Sequence, residues 1–138
     1  MTITVEQDIK DKGLVAPRVT VADIEAEIAS EHYFTAAEGV ALGTIAAGGG
    51  MPVIPAPLQL LTFCVLVLKT GYTVSGKSAC ASADNFDAET GRKIARENAV
   101  NKIWPLLGFR LRDELSRPVL TEADALADLN GTPRPAAT

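Results

Sequence analysis

Several groups of residues in this chain have the types and spacing that chemistry requires. The segment Gly71-Tyr-Thr-Val-Ser-Gly76-Lys77-Ser78 matches the phosphate-binding loop pattern Gly-x-x-x-x-Gly-Lys-Ser letter for letter. That chemistry needs a strand, a loop whose amides cradle phosphates, and a helix opening at the Lys-Ser pair. The strand is there, but Tyr72, Thr73 and Val74 are strand formers, and residues 77–83 read as strand and loop. Only sixty residues follow Ser78, too few for a parallel sheet, and none offers an acidic strand end for magnesium. The motif reads as a hairpin that spells the pattern by chance.

Nucleophilic chemistry fares no better. His32 is the sole histidine and lies far along the chain from Cys64 and Cys80, which argues against Cys–His catalysis and His-rich metal sites. Cys64 falls mid-strand and reads as core. Cys80, before a helix N-terminus, has a setting that can lower a thiol pKa, although a packed cysteine is the plainer reading. No catalytic residue, metal site or cofactor is expected, and the chain is not read as an enzyme.

A binding set is easier to assemble. Asn85, Glu89, Arg92 and Arg96 fall along one side of the helix expected after Asn85. Glu89 can pair with Lys93, while Arg92 and Arg96 offer two guanidinium groups one turn apart. Such a pair suits a phosphate or carboxylate; the plain alternative is a solvated edge neutralised by Glu89 and Glu97. Lys102 lies further along, on a face of small residues. Tyr72 and Trp104, with Tyr33 and Phe34 behind them, could stack a base, though each also suits core or interface. The candidate ligand-binding residues are therefore Asn85, Arg92, Arg96, Lys102, Tyr72 and Trp104.

The elements that must position these residues follow from pattern. At 138 residues, 47% hydrophobic and 22% charged, the chain fits one globular domain. Thirteen basic against seventeen acidic residues give a net charge of −4, which argues against non-specific nucleic-acid binding. Residues 1–18 read as an N-terminal arm without a secretory signal. Residues 19–130 read as a single domain, and residues 131–138 as a disordered tail. Gly39–Leu68 carries no charge, but three consecutive glycines and prolines 52, 55 and 57 break any membrane span, so a soluble, cytoplasmic protein is expected.

Thr20 and Asp23 form a capping box ahead of a helix over about residues 21–30, whose end Tyr33 and Phe34 could anchor. Residues 36–57 read as a flexible Gly/Pro-rich loop. Residues 60–69 are apolar on both alternating faces and predict a strand covered on both sides. Thr70-Gly71 predicts a two-residue turn, with Lys69 opposite Tyr72 and Cys64 opposite Lys77, which keeps Cys64 and Cys80 apart. Asp84 or Asn85 caps a long helix to about Trp104, with breaks at Pro105 and Gly108, and Thr121 opens a last helix that stops near Gly131.

The long helix carries two apolar stripes. Ala88, Gly91, Ala95 and Ala99 are small and allow close approach to a sheet or helix. Phe86, Val100, Trp104 and Leu107 are bulky and still need cover, which a second copy of the chain could supply, so a homo-oligomer is expected. The fold class is α+β: a small antiparallel sheet built on the central hairpin, packed by one long helix with short flanking helices.

Cys64-Val-Leu-Val-Leu-Lys-Thr-Gly-Tyr-Thr-Val-Ser-Gly-Lys-Ser-Ala-Cys80, with Asn85-Phe-Asp-Ala-Glu89, Gly91-Arg92-Lys-Ile-Ala95, Glu97-Asn-Ala99 and Lys102-Ile-Trp104, resembles the gene-product-49 family of small tailed-phage proteins. The resemblance covers residues 61–115 and extends weakly to Tyr33-Phe-Thr35. It implies a phage accessory protein acting in bacterial cytoplasm and supplies no activity. Two functions then compete. One is sequestration, without catalysis, of a small anionic, nucleotide-type ligand such as a host immune signal. The other is a protein–protein module that inhibits or redirects a host protein.

Overall fold

The computed structural model describes residues 16–118 and 121–135, together with Val5 and Gln7. Most of the expected N-terminal arm lies outside the described residues, as do residues 136–138 of the tail. The chain divides into two compact units, one spanning Ala26–Ile103 and the other made by the residues before and after it.

The central unit is α+β. Strands β1 (Ile28–Thr35), β2 (Leu61–Leu68) and β3 (Thr73–Ala79) form an antiparallel sheet in the order β1-β2-β3. Helix α1 (Val21–Glu27), whose first five residues belong to the other unit, leads into β1; helix α2 (Ala36–Ala46) follows β1, and helix α3 (Ala88–Val100) packs on β2 and β3. The Thr20 hydroxyl accepts from the Asp23 amide at 3.1 Å and the Asp23 carboxylate accepts from the Thr20 amide at 2.9 Å, so the expected capping box opens α1. The helix ends three residues earlier than predicted. Ile28, Tyr33 and Phe34 pair with Leu68, Cys64 and Phe63 as a strand, so tertiary pairing overrides a short apolar period.

Residues 36–46, expected as the first half of a flexible loop, are helical instead. Thr35 and Glu38 form a second capping box, with 3.1 Å and 3.4 Å hydrogen bonds. Ala-rich sequence has high helix propensity, which here outweighs the glycines at 39 and 43. The chain is irregular from Ala47 to Pro55, then takes a 3-10 turn over Ala56–Leu60.

The hairpin forms one residue out of the expected register. Leu68 and Tyr72 close a three-residue turn, Lys69-Thr70-Gly71, with Gly71 at φ +87°. Cys64 therefore faces Gly76 rather than Lys77. A side chain at φ near +87° would be strained, which glycine avoids. Both cysteines are free, as expected. Lys77 and Ser78 lie within β3, so no helix opens at the Lys-Ser pair.

One face of the sheet, with Thr62, Cys64, Leu66, Leu68 and Val74, is buried. The other, with Phe63, Val65 and Val67, is only half-buried. Helix α3 lays Gly91, Ala95 and Ala99, all buried, against the first face. A β-carbon on Gly91 would sit 3.2 Å from the Thr62 hydroxyl. At Gly76 it would sit 2.8 Å from the Asn98 carbonyl carbon, and closer still to the Ala95 carbonyl oxygen and the Ala99 amide nitrogen. Gly76 thus serves contact between a strand and a helix backbone.

Asp87, rather than Asp84 or Asn85, caps α3, accepting from the Thr90 amide at 3.0 Å. Asn85 ends a separate 3-10 turn, Ala83–Asn85, opened by Ser82. The helix stops at Val100, and a turn at Asn101-Lys102 separates it from α4 (Ile103–Ser116). Pro105 falls in the first turn of α4, where its missing N–H removes no helix hydrogen bond, and Gly108 is accommodated within the helix.

In the flanking unit, Thr121 caps α5 (Glu122–Asn130), and Gly131 ends it at φ +68°. The segment expected to be disordered is held as far as Arg134. Its guanidinium donates to both Asp128 oxygens, at 2.8 Å and 2.6 Å, and to the carbonyls of Glu114 and Arg117. Those bonds hold the Asp128 carboxyl below its ordinary range. Among the described residues, no helix is long and apolar enough to cross a membrane.

The α3–β3 contact makes a direct stability prediction. Gly76→Ala should destabilise the protein by about 3 kcal/mol, because backbone rather than a flexible side chain must move. Gly43→Ala, in open space within α2, should stabilise by roughly 0.5 kcal/mol. Chemical denaturation of both variants checks this; equal midpoints would contradict it.

Candidate functional site

The sheet places Glu31, Tyr33 and Thr35 of β1 on the face that also carries Cys64 and Thr62. Arg96 reaches this row from α3. Its Nε donates to Glu31 Oε1 at 2.5 Å, and the Tyr33 hydroxyl donates to the same oxygen at 3.2 Å. Tyr33 also faces Cys64 across the strand pair. Burial, reinforced by the neighbouring Cys64 and Glu31, pushes the Tyr33 phenol up to about 12. Burial also pushes the Cys64 thiol up, and that side chain is fully enclosed. This cluster ties α3 to the edge strand; it leaves Cys64 protonated and inaccessible.

Arg92, one turn before Arg96, has a different setting. It is exposed and makes no ion pair with any described residue. It borders a cleft of about 230 Å³ lined by Tyr33, Phe34, Thr35, Glu38, Thr62, Phe86 and Ala88. The strand β1 and the first turn of α2 supply one wall. Phe86 and the first turn of α3 supply the other. The cleft combines a guanidinium, a carboxylate, two threonine hydroxyls and aromatic carbon.

The sequence-derived set is only partly assembled by this geometry. Arg92 lines the cleft, whereas Arg96 is turned onto Glu31, so the two guanidinium groups do not act as a matched pair. Asn85 is exposed at the end of its 3-10 turn, one residue from Phe86. Tyr72 is 58% exposed at the hairpin turn, beyond the opposite end of the sheet from Thr62. Lys102 is exposed and lies ten residues after Arg92, about 15 Å along the helix direction. Trp104 is half-buried in the flanking unit.

Residues that the sequence reading missed are Thr35, Glu38, Thr62 and Phe86. Thr35 and Glu38 carry a legible signal, since Thr-x-x-Glu is a capping box, set in a segment whose glycines and prolines suggest a loop. Thr62 carried none: a threonine within an apolar strand looks like packing. Among the described residues, no three His, Cys, Asp or Glu side chains gather as metal ligands.

The profile of the Phage protein (N4 Gp49/phage Sf6 gene 66) family matches residues 19–115, and the chain belongs to that family. No curated protein and no solved structure matches the chain.

Tyr33 supplies the prediction here. Its raised pKa means that the folded state keeps a proton that the unfolded state loses above about pH 10. The stability tied to it is fully present below pH 10 and is lost as pH rises toward 12. Ultraviolet titration should show one phenol ionising near pH 12 that Tyr33→Phe removes. Urea midpoints should fall between pH 10 and 12 more steeply in the wild type than in the variant.

Proposed function

We propose that this phage protein binds and holds a small anionic, nucleotide-type ligand in the Arg92 cleft without transforming it, as an accessory protein acting in the cytoplasm of the infected cell. The observation that carries this reading is the guanidinium of Arg92, with no ion-pair partner among the described residues, at the mouth of a cleft with an aromatic wall. Arg92 suits a phosphate, Phe86 the face of a base, and Glu38 with the threonine hydroxyls the sugar or base donors. A carboxylate in the cleft disfavours a bare anion and favours a ligand that carries hydrogen-bond donors as well as charge. At about 230 Å³ the cleft is smaller than pockets that enclose drug-sized ligands, so a nucleotide would project from it.

A second reading, docking onto a host protein, is favoured by a separate observation. Val40, Leu42 and Ile45 of α2 and Met51 and Val53 beyond it are exposed, in a stretch without charge.

Native mass spectrometry separates the two readings. The protein is sprayed with and without a panel of cyclic and ADP-ribose-type nucleotides. Ligand sequestration predicts gain of an intact ligand mass, its unchanged release on denaturation, and binding about tenfold or more weaker in Arg92→Ala. Uptake of none of the panel, with capture of a host protein that Leu42→Glu abolishes, would favour docking instead.

A further inference from the structure

Strand β1 is an edge strand of the sheet, with no described strand on its outer side. The hydrogen-bonded pairs of the hairpin include Leu68 with Tyr72 and Leu60 with Cys80. Alternation along the ladder then directs the N–H and C=O of Phe63, Val65 and Val67 toward β1, where they meet Phe34, His32 and Ser30. Glu31, Tyr33 and Thr35 consequently point their backbone groups away from the sheet. Thr35 is partly satisfied, because Glu38 accepts from its N–H at 3.4 Å. Glu31 and Tyr33 belong to an exposed row, and no described strand lies beyond them.

The other edge is different. On β3 the outward carbonyl of Lys77 accepts from the Asn98 side chain at 2.8 Å, so α3 closes part of that edge. Edge strands are commonly protected by proline, lysine or an inward-pointing charge. Strand β1 contains neither proline nor lysine, its irregularity lies between Ile28 and Ser30 ahead of the exposed row, and its one acidic residue, Glu31, is paired with Arg96 of the same copy.

We propose that β1 pairs antiparallel with β1 of a second copy, joining two three-stranded sheets into one across a two-fold axis at His32. The register follows from the outward groups. Glu31 opposite Glu31 would set like charges face to face, which destabilises a strand pair. Tyr33 opposite Tyr33 would call on the Thr35 N–H that Glu38 already engages. Glu31 of each copy opposite Tyr33 of the other uses every remaining outward N–H and C=O of these residues. It also brings the second copy's strand alongside Thr35, at the border of the Arg92 cleft. This inference rests on the sheet edge and stands apart from any ligand.

In this register the two His32 residues form a non-hydrogen-bonded pair, with Cα atoms about 4.5 Å apart. His32 is exposed, and its ring shares a 3.0 Å hydrogen bond with the neighbouring Ser30 hydroxyl, so it tolerates substitution. Light scattering coupled to size exclusion should give a dimer mass for the wild type. In a Cys80→Ser background, His32→Cys should form a disulfide-linked dimer on mild oxidation, while Ser30→Cys, which would face Phe34, should not. His32→Lys should weaken dimerisation about tenfold by setting two ammonium groups opposite each other, with an unchanged circular dichroism spectrum. A monomeric wild type, or no cross-link through position 32, would overturn the proposal.

Discussion

The arrangement of the central unit depends on how closely the backbone of α3 approaches β3 at Gly76. With no side chain at 76 and the small residues Gly91, Ala95 and Ala99 turned to the sheet, the helix sits directly on it, and Cys64, Leu66 and Val74 are sealed beneath. That contact also sets the helix rotation. Once the small residues face the sheet, Arg92 and Arg96 must lean over β1. A bulkier residue at any of these positions would lift the helix and move both guanidinium groups.

The two arginines illustrate how one helix edge is divided between structure and binding. Arg96 meets Glu31 at 2.5 Å, and Tyr33 completes that oxygen's coordination, so this charge is spent on joining helix to edge strand. Arg92, one turn earlier, lines the cleft where β1 ends and α2 begins. There the chain has just turned through the Thr35–Glu38 capping box, and the cleft is the space left between two helix starts.

Local chemistry made much of the fold legible. The capping box at Thr20 and Asp23, the central hairpin, the small-residue stripe and the Thr121–Gly131 helix are each written in a few neighbouring residues. The misread elements share a cause, which is that local signals were ambiguous and distant partners resolved them. Residues 28–35 look like the end of a helix until β2 is beside them. Residues 36–46 look like a loop if glycine is weighed above alanine. The register differs by one from a two-residue turn because Lys69 belongs to a three-residue turn that Gly71 closes at positive φ.

The site was less legible than the fold. Sequence periodicity could place Arg92 and Arg96 on one helix edge, but not tell which of them β1 would neutralise. It gathered Tyr72, Lys102 and Trp104 as chemically suitable groups, whereas Tyr72 sits at the hairpin turn, Lys102 in the turn after α3, and Trp104 in the flanking unit. By itself the sequence determined the element types wherever capping, turn and packing signals agree within a dozen residues, along with membership of the phage family. Only the tertiary structure decided which charges pair, which strand edge stays open and where a cleft forms. Those properties depend on distances between residues some tens of positions apart, and chain connectivity does not encode such distances until the backbone has packed.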